Sequence, residues 1–334
     1  GRADLICLSR ALLADPHFPA KARSGQVDRI VPCIACNECI ATIHRHKGIV
    51  CTMNPTVSRE LEFKRLQATP ASVKRLVVVG GGVAGMAAAI TAAGRGHTVH
   101  LFEADRVLGG HLRLAHLPPH REELESALRF FEREVERRAI TVHLDHPFTV
   151  ADAQNLRPDT IILATGAESR NPDIPGVDLP HVVAGWRIIA GLAETGANCV
   201  VIGGGLVGME VADYLAERGK RVIIVARSGL LTKAVHADRV YFLDRIRELG
   251  IEVLTHTKVH EIGPRSVTVE PPNGWPRALL DVDTVVLCTG YTPRTALATE
   301  LTALGIPVRL VGDVQGSRKF FEAIEEGTLA AIAL

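Results

Sequence analysis

The order of apolar and polar residues predicts two copies of one βαβ unit. Each copy runs strand, glycine-rich turn, helix of small residues and strand, at 76–79, 83–94 and 98–103 in the first copy and at 200–202, 207–218 and 221–225 in the second. Gly80 stands 23 positions before Glu103 in the first copy, and Gly203 stands 23 positions before Ala226 in the second. This repetition predicts two nucleotide-binding domains of one architecture.

Two further segments complete the pattern. Residues 1–70 read as a short strand at 5–8, a Leu-rich helix, a group of cysteines and a polar connector. Between the two copies, an amphipathic helix carries Leu124, Leu128, Phe131 and Val135 on one stripe, which predicts a helix packed on the core with a solvated outer face.

The composition describes an ordinary globular protein of at least two domains. The 334 residues are 47% apolar and 22% charged, and 38 basic residues nearly balance 37 acidic ones. This balance argues against nucleic acid as a partner. No run approaches the ~20 apolar residues of a membrane span, and no signal segment opens the chain. We therefore expect a cytoplasmic protein with no membrane partner.

Four cysteines within nineteen positions predict a metal site. Cys33, Cys36 and Cys39 follow one another at Cys-x-x-Cys spacing, and Cys51 follows after eleven intervening residues. Zinc sites usually combine two separate Cys-x-x-Cys pairs, whereas three close cysteines and one remote cysteine suit a 4Fe-4S cluster. The spacing favours the cluster over zinc, and the cytoplasmic expectation disfavours disulfides.

The first glycine-rich turn predicts a dinucleotide site. Gly80 permits the tight turn, Gly82 lets a pyrophosphate approach the backbone, and Gly85 lets helix and strand pack closely; Ala84 lies in the same turn. The helix N-terminus then faces the phosphates. Glu103, at the end of the second strand, is placed to accept the ribose hydroxyls.

Several later glycines follow apolar runs and extend this site. Gly109 and Gly110 would let the backbone pass close to a cofactor. Other strand ends that predict turns near the nucleotide are Gly166, Gly290, Gly312 and Asp313.

The second turn repeats the glycines but not the acid. Gly203, Gly205 and Gly208 match the first turn, yet Ala226 stands where Glu103 stands in the first copy, and Arg227 follows. A small residue followed by Arg accommodates a 2′-phosphate, whereas a carboxylate repels it. The sequence therefore favours NADPH over NADH, with a solvated surface role for Arg227 as the alternative.

The remaining cysteines and the histidines give no catalytic assignment. Cys7, Cys199 and Cys288 lie in apolar strand-like runs and are predicted to be inert core thiols. The histidines are scattered, and a surface or loop position is predicted for His97, His116, His120 and His143. The sequence offers no Ser-His-Asp arrangement, so the catalytic residues stay unassigned.

Taken in order, the motifs resemble one family. The order is CIACNECI with Cys51, then GGGVAG, LFEA, LGG, ILATG, VIGGGLVG, VLCTG and VGD. It is similar to the C-terminal part of the NADH:flavin oxidoreductases that include 2,4-dienoyl-CoA reductase, 2-enoate reductase and trimethylamine dehydrogenase. In that family an FMN-bearing TIM barrel precedes the cluster.

The resemblance implies a division of the chain. Residues 1–30 resemble the end of the TIM barrel, and 31–70 the 4Fe-4S segment with a linker. Residues 71–194 with 290–334 resemble the FAD-binding domain, and 195–289 the NAD(P)-binding domain. The implied fold class is α/β, with a barrel remnant, an iron-sulfur segment and two Rossmann-like domains.

The resemblance also implies roles for residues. FAD, or ADP in one branch of the family, would lie at the first turn, with Asp313 at the ribityl chain. Arg10 stands where the family contacts the FMN phosphate, although Ser9 replaces the usual glycine. FMN itself would lie in the barrel, most of which is absent from this sequence.

Three functions follow as hypotheses. The first is a reductase that passes electrons from NAD(P)H through FAD and the cluster to FMN and reduces an activated C=C bond of a small molecule. The second is an amine dehydrogenase of the trimethylamine dehydrogenase type, which exports electrons to a partner flavoprotein. The third is a cofactor-binding fragment without its own activity. A homo-oligomer is expected.

Overall fold

The computed structural model describes residues 3–66 and 72–334, so part of the predicted connector lies outside the described residues. The chain forms two compact units. The first comprises Gly1–Arg113, Glu123–Glu168 and Pro293–Leu334, and the second comprises Leu114–Glu122 and Ser169–Thr292. Each unit contains one five-stranded sheet, which confirms the predicted α/β class with two Rossmann-like domains.

The strands of the described residues follow the predicted pattern. In chain order they are β1 (Arg75–Val79), β2 (Thr98–Phe102), β3 (Ile140–His143), β4 (Thr160–Leu163), β5 (Ala167–Ser169), β6 (Val182–Ala184), β7 (Asn198–Ile202), β8 (Arg221–Val225), β9 (Glu252–Leu254), β10 (Lys258–Gly263), β11 (Ser266–Glu270), β12 (Arg277–Leu280), β13 (Thr284–Leu287), β14 (Tyr291–Pro293) and β15 (Val308–Leu310).

The helices are mostly short. In chain order they are α1 (Arg10–Ala14), α2 (Phe18–Arg23), α3 (Glu38–His44), α4 (Glu60–Leu66), α5 (Val83–Gly94), α6 (Leu112–Ala115), α7 (Glu123–Glu136), α8 (Val150–Leu156), α9 (Gly185–Ile189), α10 (Leu206–Glu217), α11 (His236–Glu248), α12 (Ala296–Thr302) and α13 (Phe320–Ile332). None of those in the described ranges has both the length and the apolar character that crossing a bilayer demands.

The sheet of the first unit is parallel and buried on both faces. Its strand order is β15-β4-β1-β2-β3, and Val79 of β1 lies opposite Leu163 on one side and Phe102 on the other. Helices α5, α7 and α13 share one hydrophobic cluster, and residues of α8 and α12 share the other. Burial on both faces explains why β1 is an uninterrupted apolar run.

The second unit repeats this plan. Its parallel sheet has the order β6-β13-β7-β8-β9, and the antiparallel sheet β10-β11-β12 contributes to the core on one face. Helices α9, α10 and α11 contribute to the cluster on the other face. The unit takes in residues 169–194 in addition to the predicted 195–289. The cofactor assigned to each domain stays a prediction.

Two expectations about the opening segment and the cysteines fail. Residues 5–8 form no strand, and Leu5 is 92% exposed. A strand needs a neighbour for its ladder of hydrogen bonds, and none of the strands in the described residues pairs with this segment. Cys7 is consequently exposed rather than buried, while Cys199 is buried as predicted and Cys288 is partly buried.

His97 lies in the loop before β2, which is one of the two predicted positions, but it is buried and not at the surface. It is 4% exposed, and its Nδ1 accepts a hydrogen bond of 3.1 Å from the Lys74 N–H. Burial lowers the pKa of His97, and the nearby charges of Arg95 and Lys74 lower it further. His97 directly follows the turn glycine Gly96 and precedes β2. A residue beside a turn is usually exposed, so the sequence did not predict its burial.

Candidate functional site

Four cysteines line one open cavity in the first unit, as the spacing predicted. The walls of the cavity also include Arg10, Leu13 and Met53. The four cysteines that it brings together are Cys33, Cys36, Cys39 and Cys51.

A tightly curled backbone turns these thiols toward a common space. Ala35 and Asn37 both have left-handed backbone conformations, with φ of 51° and 58°. Such conformations are uncommon for residues with a Cβ and are found where a loop must close tightly. Helix α3 starts directly afterwards and carries Cys39 in its first turn. The loop and the helix start therefore place Cys33, Cys36 and Cys39 on the wall of one cavity.

Two of the four thiols resist ionisation. Burial, with a smaller contribution from the neighbouring Cys36 and Cys33, raises the pKa of Cys51 to about 11. Burial likewise raises the pKa of Cys39. Four thiolates so close together would repel one another, so their joint ionisation calls for a cationic group among them.

Four thiols are a donor set that zinc and iron-sulfur clusters share. Within 3–66 and 72–334, no three His, Cys, Asp or Glu side chains approach closely enough to ligate a single ion. Zinc needs four sulfurs at about 2.3 Å from one centre. A cubane cluster binds each thiolate at a different iron, so the sulfurs stand further apart. The four thiols match the ligand number of a 4Fe-4S cluster, and the cluster itself stays a prediction.

Two polar contacts border the cavity, one made by Thr52 and one by Arg10. Only Arg10 was among the residues predicted from the sequence. Thr52 is 3% exposed, and its Oγ1 lies 3.1 Å from the Cys36 Sγ. A hydroxyl residue directly after a ligand cysteine was the available signal. Arg10 donates a hydrogen bond of 2.8 Å to the Asn37 Oδ1, which places it on the cavity wall. Its contact with an FMN phosphate stays a prediction.

The first glycine-rich turn has the close approaches that the motif predicted. A Cβ on Gly80 would overlap the Ala164 carbonyl oxygen, and Gly80 has a left-handed φ of 104°. A Cβ on Gly85 would overlap the Gly80 carbonyl oxygen. Around Gly82, in contrast, a Cβ would meet nothing within 4 Å. The turn is therefore closed on its inner side and open where a pyrophosphate would lie.

Glu103 lies beneath this turn and is fixed from two sides. Its Oε2 accepts a hydrogen bond of 2.7 Å from the Gly81 N–H, and its Oε1 accepts one of 2.9 Å from the Asp105 N–H. A carboxylate oxygen can accept a second donor, so both oxygens can still receive ribose hydroxyls. Gly81 was absent from the predicted site, although its N–H orients the acid.

The later glycines of the first unit gather around the same turn. Gly82 and Gly109 form an isolated parallel bridge, and a Cβ on Gly110 would lie 3.2 Å from the Gly82 Cα. A Cβ on Gly312 would lie 2.9 Å from the Ala84 Cβ. These contacts place the predicted Gly109, Gly110, Gly312 and Ala84 at one end of the sheet.

Two further predicted residues border this end of the sheet. Asp313 follows Gly312, and its Oδ1 accepts a hydrogen bond of 3.1 Å from the Arg318 N–H. Gly166 lies just beyond β4, and its carbonyl accepts a hydrogen bond of 3.0 Å from the Arg294 N–H. The cofactor roles of Asp313 and Gly166 stay predictions.

The second unit reproduces the turn geometry. A Cβ on Gly203 would overlap the Cys288 carbonyl oxygen, and a Cβ on Gly208 would overlap that of Gly203. Gly205 is open in the same way as Gly82. Gly290 has a φ of 97° and accepts a hydrogen bond of 3.0 Å from the Arg170 N–H.

The position of the missing acid is also reproduced. Ala226 is 3% exposed, and a Cβ on Gly204 would lie 2.8 Å from its Cβ. Gly204 corresponds to Gly81, whose N–H holds Glu103 in the first unit. Arg227 is exposed just past strand β8. A contact of Arg227 with a 2′-phosphate stays a prediction.

A charged pair beside the second turn was not predicted. Glu210 in α10 forms an ion pair with Arg121, in which the Glu210 Oε1 lies 3.0 Å from a guanidinium nitrogen. Burial raises the pKa of Glu210, and Arg121 acts in the opposite direction. Burial, followed by the charge of Glu210, raises the pKa of Cys288 to about 12, so this thiol is protonated and inert. The position of Glu210 between the apolar Met209 and Val211 was the available signal in the sequence.

Comparison with known proteins decides the family. The pyridine nucleotide-disulphide oxidoreductase family matches residues 74–316. The chain belongs to this family. It is therefore an oxidoreductase chain of the flavoprotein class with Rossmann-type nucleotide-binding domains, and the resemblance inferred from the motifs is confirmed.

Individual relatives show the same architecture in longer proteins. The chain is 37% identical to an NADH oxidase of Thermoanaerobacter brockii, over 98% of this chain and 51% of the relative. Among solved structures, a 2-naphthoyl-CoA reductase matches with a TM-score of 0.93, at 27% identity, over 100% of this chain and 51% of the other. A 6-hydroxypseudooxynicotine amine oxidase of Pseudomonas geniculata N1 matches with a TM-score of 0.89, at 30% identity, over 98% and 52%. The chain spans about half the length of these relatives.

Proposed function

We propose that this chain is the electron-relay part of an iron-sulfur flavoprotein. Electrons would pass from NAD(P)H through FAD and a 4Fe-4S cluster to FMN, for reduction of an activated C=C bond. The observation that carries the proposal is the packing of the cysteine segment on the first nucleotide-binding helix. Ile34 and Met53, which border the thiols, share one buried cluster with Val83 of α5 and Ile324 of α13.

The residues divide into two binding sets within the first unit. The four thiols would hold the cluster, and the first turn with Glu103 would hold the FAD. When bound, FAD supplies two-electron acceptance from a nicotinamide, and the cluster supplies one-electron transfer. The chain itself fixes the thiols by the curled loop at Ala35 and Asn37 and fixes the ribose acceptor through Gly81.

The second unit would bind the pyridine nucleotide at Gly203, Gly205 and Gly208. Ala226 and Arg227 support NADPH, whereas the relative named NADH oxidase supports NADH. The absence of a carboxylate at Ala226 removes the repulsion that would exclude a 2′-phosphate. We therefore propose NADPH as the preferred reductant and NADH as the alternative.

The remaining parts of the proposal concern the whole protein. FMN and the small-molecule substrate would lie in a TIM barrel, whose last elements residues 1–30 resemble. A homo-oligomer and a cytoplasmic location complete the proposal.

An amine dehydrogenase is the second candidate. The match to an amine oxidase structure favours it, because that relative shares the same architecture over nearly the whole chain. In this case the first turn would hold ADP, and electrons would leave to a partner flavoprotein. The intact glycines of the second turn favour the reductase, since an amine dehydrogenase of this type has no need of a pyridine nucleotide.

Anaerobic reduction of the purified holoprotein tests the proposal. Addition of NADPH or NADH should bleach the bound flavin, and electron paramagnetic resonance should then detect a reduced cluster. Iron and sulfide analysis should give about four of each per chain. Absence of bleaching with both nucleotides would reject the reductase, and reduction by an amine instead would establish the second candidate.

A matched variant separates the two binding sets. Cys51→Ser should abolish the cluster signal while the flavin still bleaches with NADPH. Cys199→Ser, at a buried thiol of the second unit far from the cavity in sequence, should keep the cluster. Equal loss of the cluster in both variants would show that the cavity thiols have no special role.

A further inference from the structure

The hydroxyl of Thr52 is aimed at a sulfur of the four-cysteine cavity. Thr52 follows Cys51, but its Oγ1 lies 3.1 Å from the sulfur of Cys36, fifteen positions before Cys51. The residue is 3% exposed. Among the described residues, no other hydrogen bond of this hydroxyl is present. A buried hydroxyl without a partner is costly, so its single contact with the sulfur has a physical consequence.

The direction of this hydrogen bond depends on the state of Cys36. Between a thiol and a hydroxyl, either atom can be the donor. A cysteine that ligates iron is a thiolate and has no proton to give. With a cluster in the cavity, the Thr52 hydroxyl is therefore the donor, and the Cys36 sulfur is the acceptor.

We propose that Thr52 is a positioning residue that raises the reduction potential of the cluster by donating to the Cys36 sulfur. The inference rests on the proposed 4Fe-4S cluster. A donated hydrogen bond stabilises negative charge on the sulfur, and the reduced cluster carries one more negative charge than the oxidised cluster. The hydroxyl consequently favours the reduced state, which makes the cluster a better acceptor of electrons from the flavin.

Thr42 provides a matched control in the same segment. Its Oγ1 donates a hydrogen bond of 3.0 Å to the backbone carbonyl of Cys39, as helical threonines commonly do, and not to a sulfur. Each threonine hydroxyl thus makes one hydrogen bond to a cysteine of the cavity. The partner of Thr52 is a sulfur, and the partner of Thr42 is a backbone carbonyl.

Redox titration of the holoprotein, followed by electron paramagnetic resonance, tests the proposal. Thr52→Val keeps the shape and removes the donor, so its cluster potential should be more negative, equivalent to about a tenfold fall in the reduced-to-oxidised ratio, or about 59 mV for one electron. Thr52→Ser should restore most of the native potential. Thr42→Val should leave it unchanged.

Other outcomes would overturn the inference. A native potential in Thr52→Val, or an equal shift in Thr42→Val, would show that the hydroxyl has no tuning role. If Thr52→Val cannot assemble the cluster, Thr52→Ala is measured instead, and loss of the cluster in both would assign Thr52 to assembly rather than tuning. If the native protein contains no iron-sulfur cluster, the proposed function itself fails, which is a distinct result.

Discussion

Lys319 and Glu38 form an ion pair between the last helix and the four-cysteine segment. Lys319 stands at the N-cap position of α13, and Glu38 is the first residue of α3, between Cys36 and Cys39. The two residues are 281 positions apart. Asp313 lies shortly before the same cap. The pair therefore links the cavity to the chain end where the flavin is proposed to lie.

Removal of this link should destabilise the protein. Lys319→Met leaves the carboxylate of Glu38, which is only 12% exposed, without its cation, at an expected cost of about 1–3 kcal/mol. The urea midpoint, followed by circular dichroism, should fall. The double variant with Glu38→Gln should recover part of the loss, because no charge is then left unpaired.

An exposed ion pair supplies the control for this prediction. Arg247 and Asp244 are 75% and 56% exposed. Arg247→Met should cost less than about 1 kcal/mol, since exposed pairs contribute little. Equal losses in Lys319→Met and Arg247→Met would show that the link between α13 and α3 has no special weight.

Glu103→Gln should weaken flavin binding. Both carboxylate oxygens of Glu103 accept backbone N–H groups, so the amide nitrogen of Gln must face either Gly81 or Asp105, donor against donor. We expect a roughly 10- to 100-fold rise in the dissociation constant for FAD, from the lost charge-assisted hydrogen bond. Fluorescence of released FAD measures it. Glu136→Gln, on an exposed position of α7, should bind FAD normally, and unchanged binding in Glu103→Gln would contradict the role.

The sequence predicted those parts of the site that depend on local geometry. Gly80 and Gly85 were found because a tight turn excludes a Cβ at these positions, whatever the rest of the fold. The thiols were found because their spacing is local. The strand at 5–8 was predicted wrongly, since strand formation depends on a neighbour that the apolar pattern does not reveal.

Contacts between distant segments escaped the sequence analysis. Lys319 and Glu38 each read as ordinary charged residues beside a helix start, and only the packing of α13 brings them together. The bond from Thr52 to Cys36 depends in the same way on how two loops fold over one cavity. The ion pair between Glu210 and Arg121 likewise joins two segments that are far apart in the chain.

Ala226→Glu should change the coenzyme preference. The new carboxylate would stand where Glu103 stands in the first unit, with the Gly204 N–H as its partner in place of Gly81. It would accept a free 2′-hydroxyl and repel a 2′-phosphate. We expect the ratio of kcat/KM for NADPH to that for NADH to fall at least about tenfold, which corresponds to about 1.4 kcal/mol. Steady-state flavin reduction measures the ratio, and a rise or no change would contradict the assignment.

His97 should make the protein acid-labile. Burial lowers the pKa of His97 from the ordinary value of 6.5. As the pH drops below about 6.5, the unfolded chain therefore binds a proton at this residue more readily than the folded chain does. The free energy of unfolding decreases accordingly. His97→Asn keeps an acceptor for the Lys74 N–H and should reduce this loss between about pH 7 and pH 5. Some loss remains, since the pKa of His100 and His143 is also lowered by burial. Urea midpoints measure it; an equal change in exposed His236→Asn would refute the role.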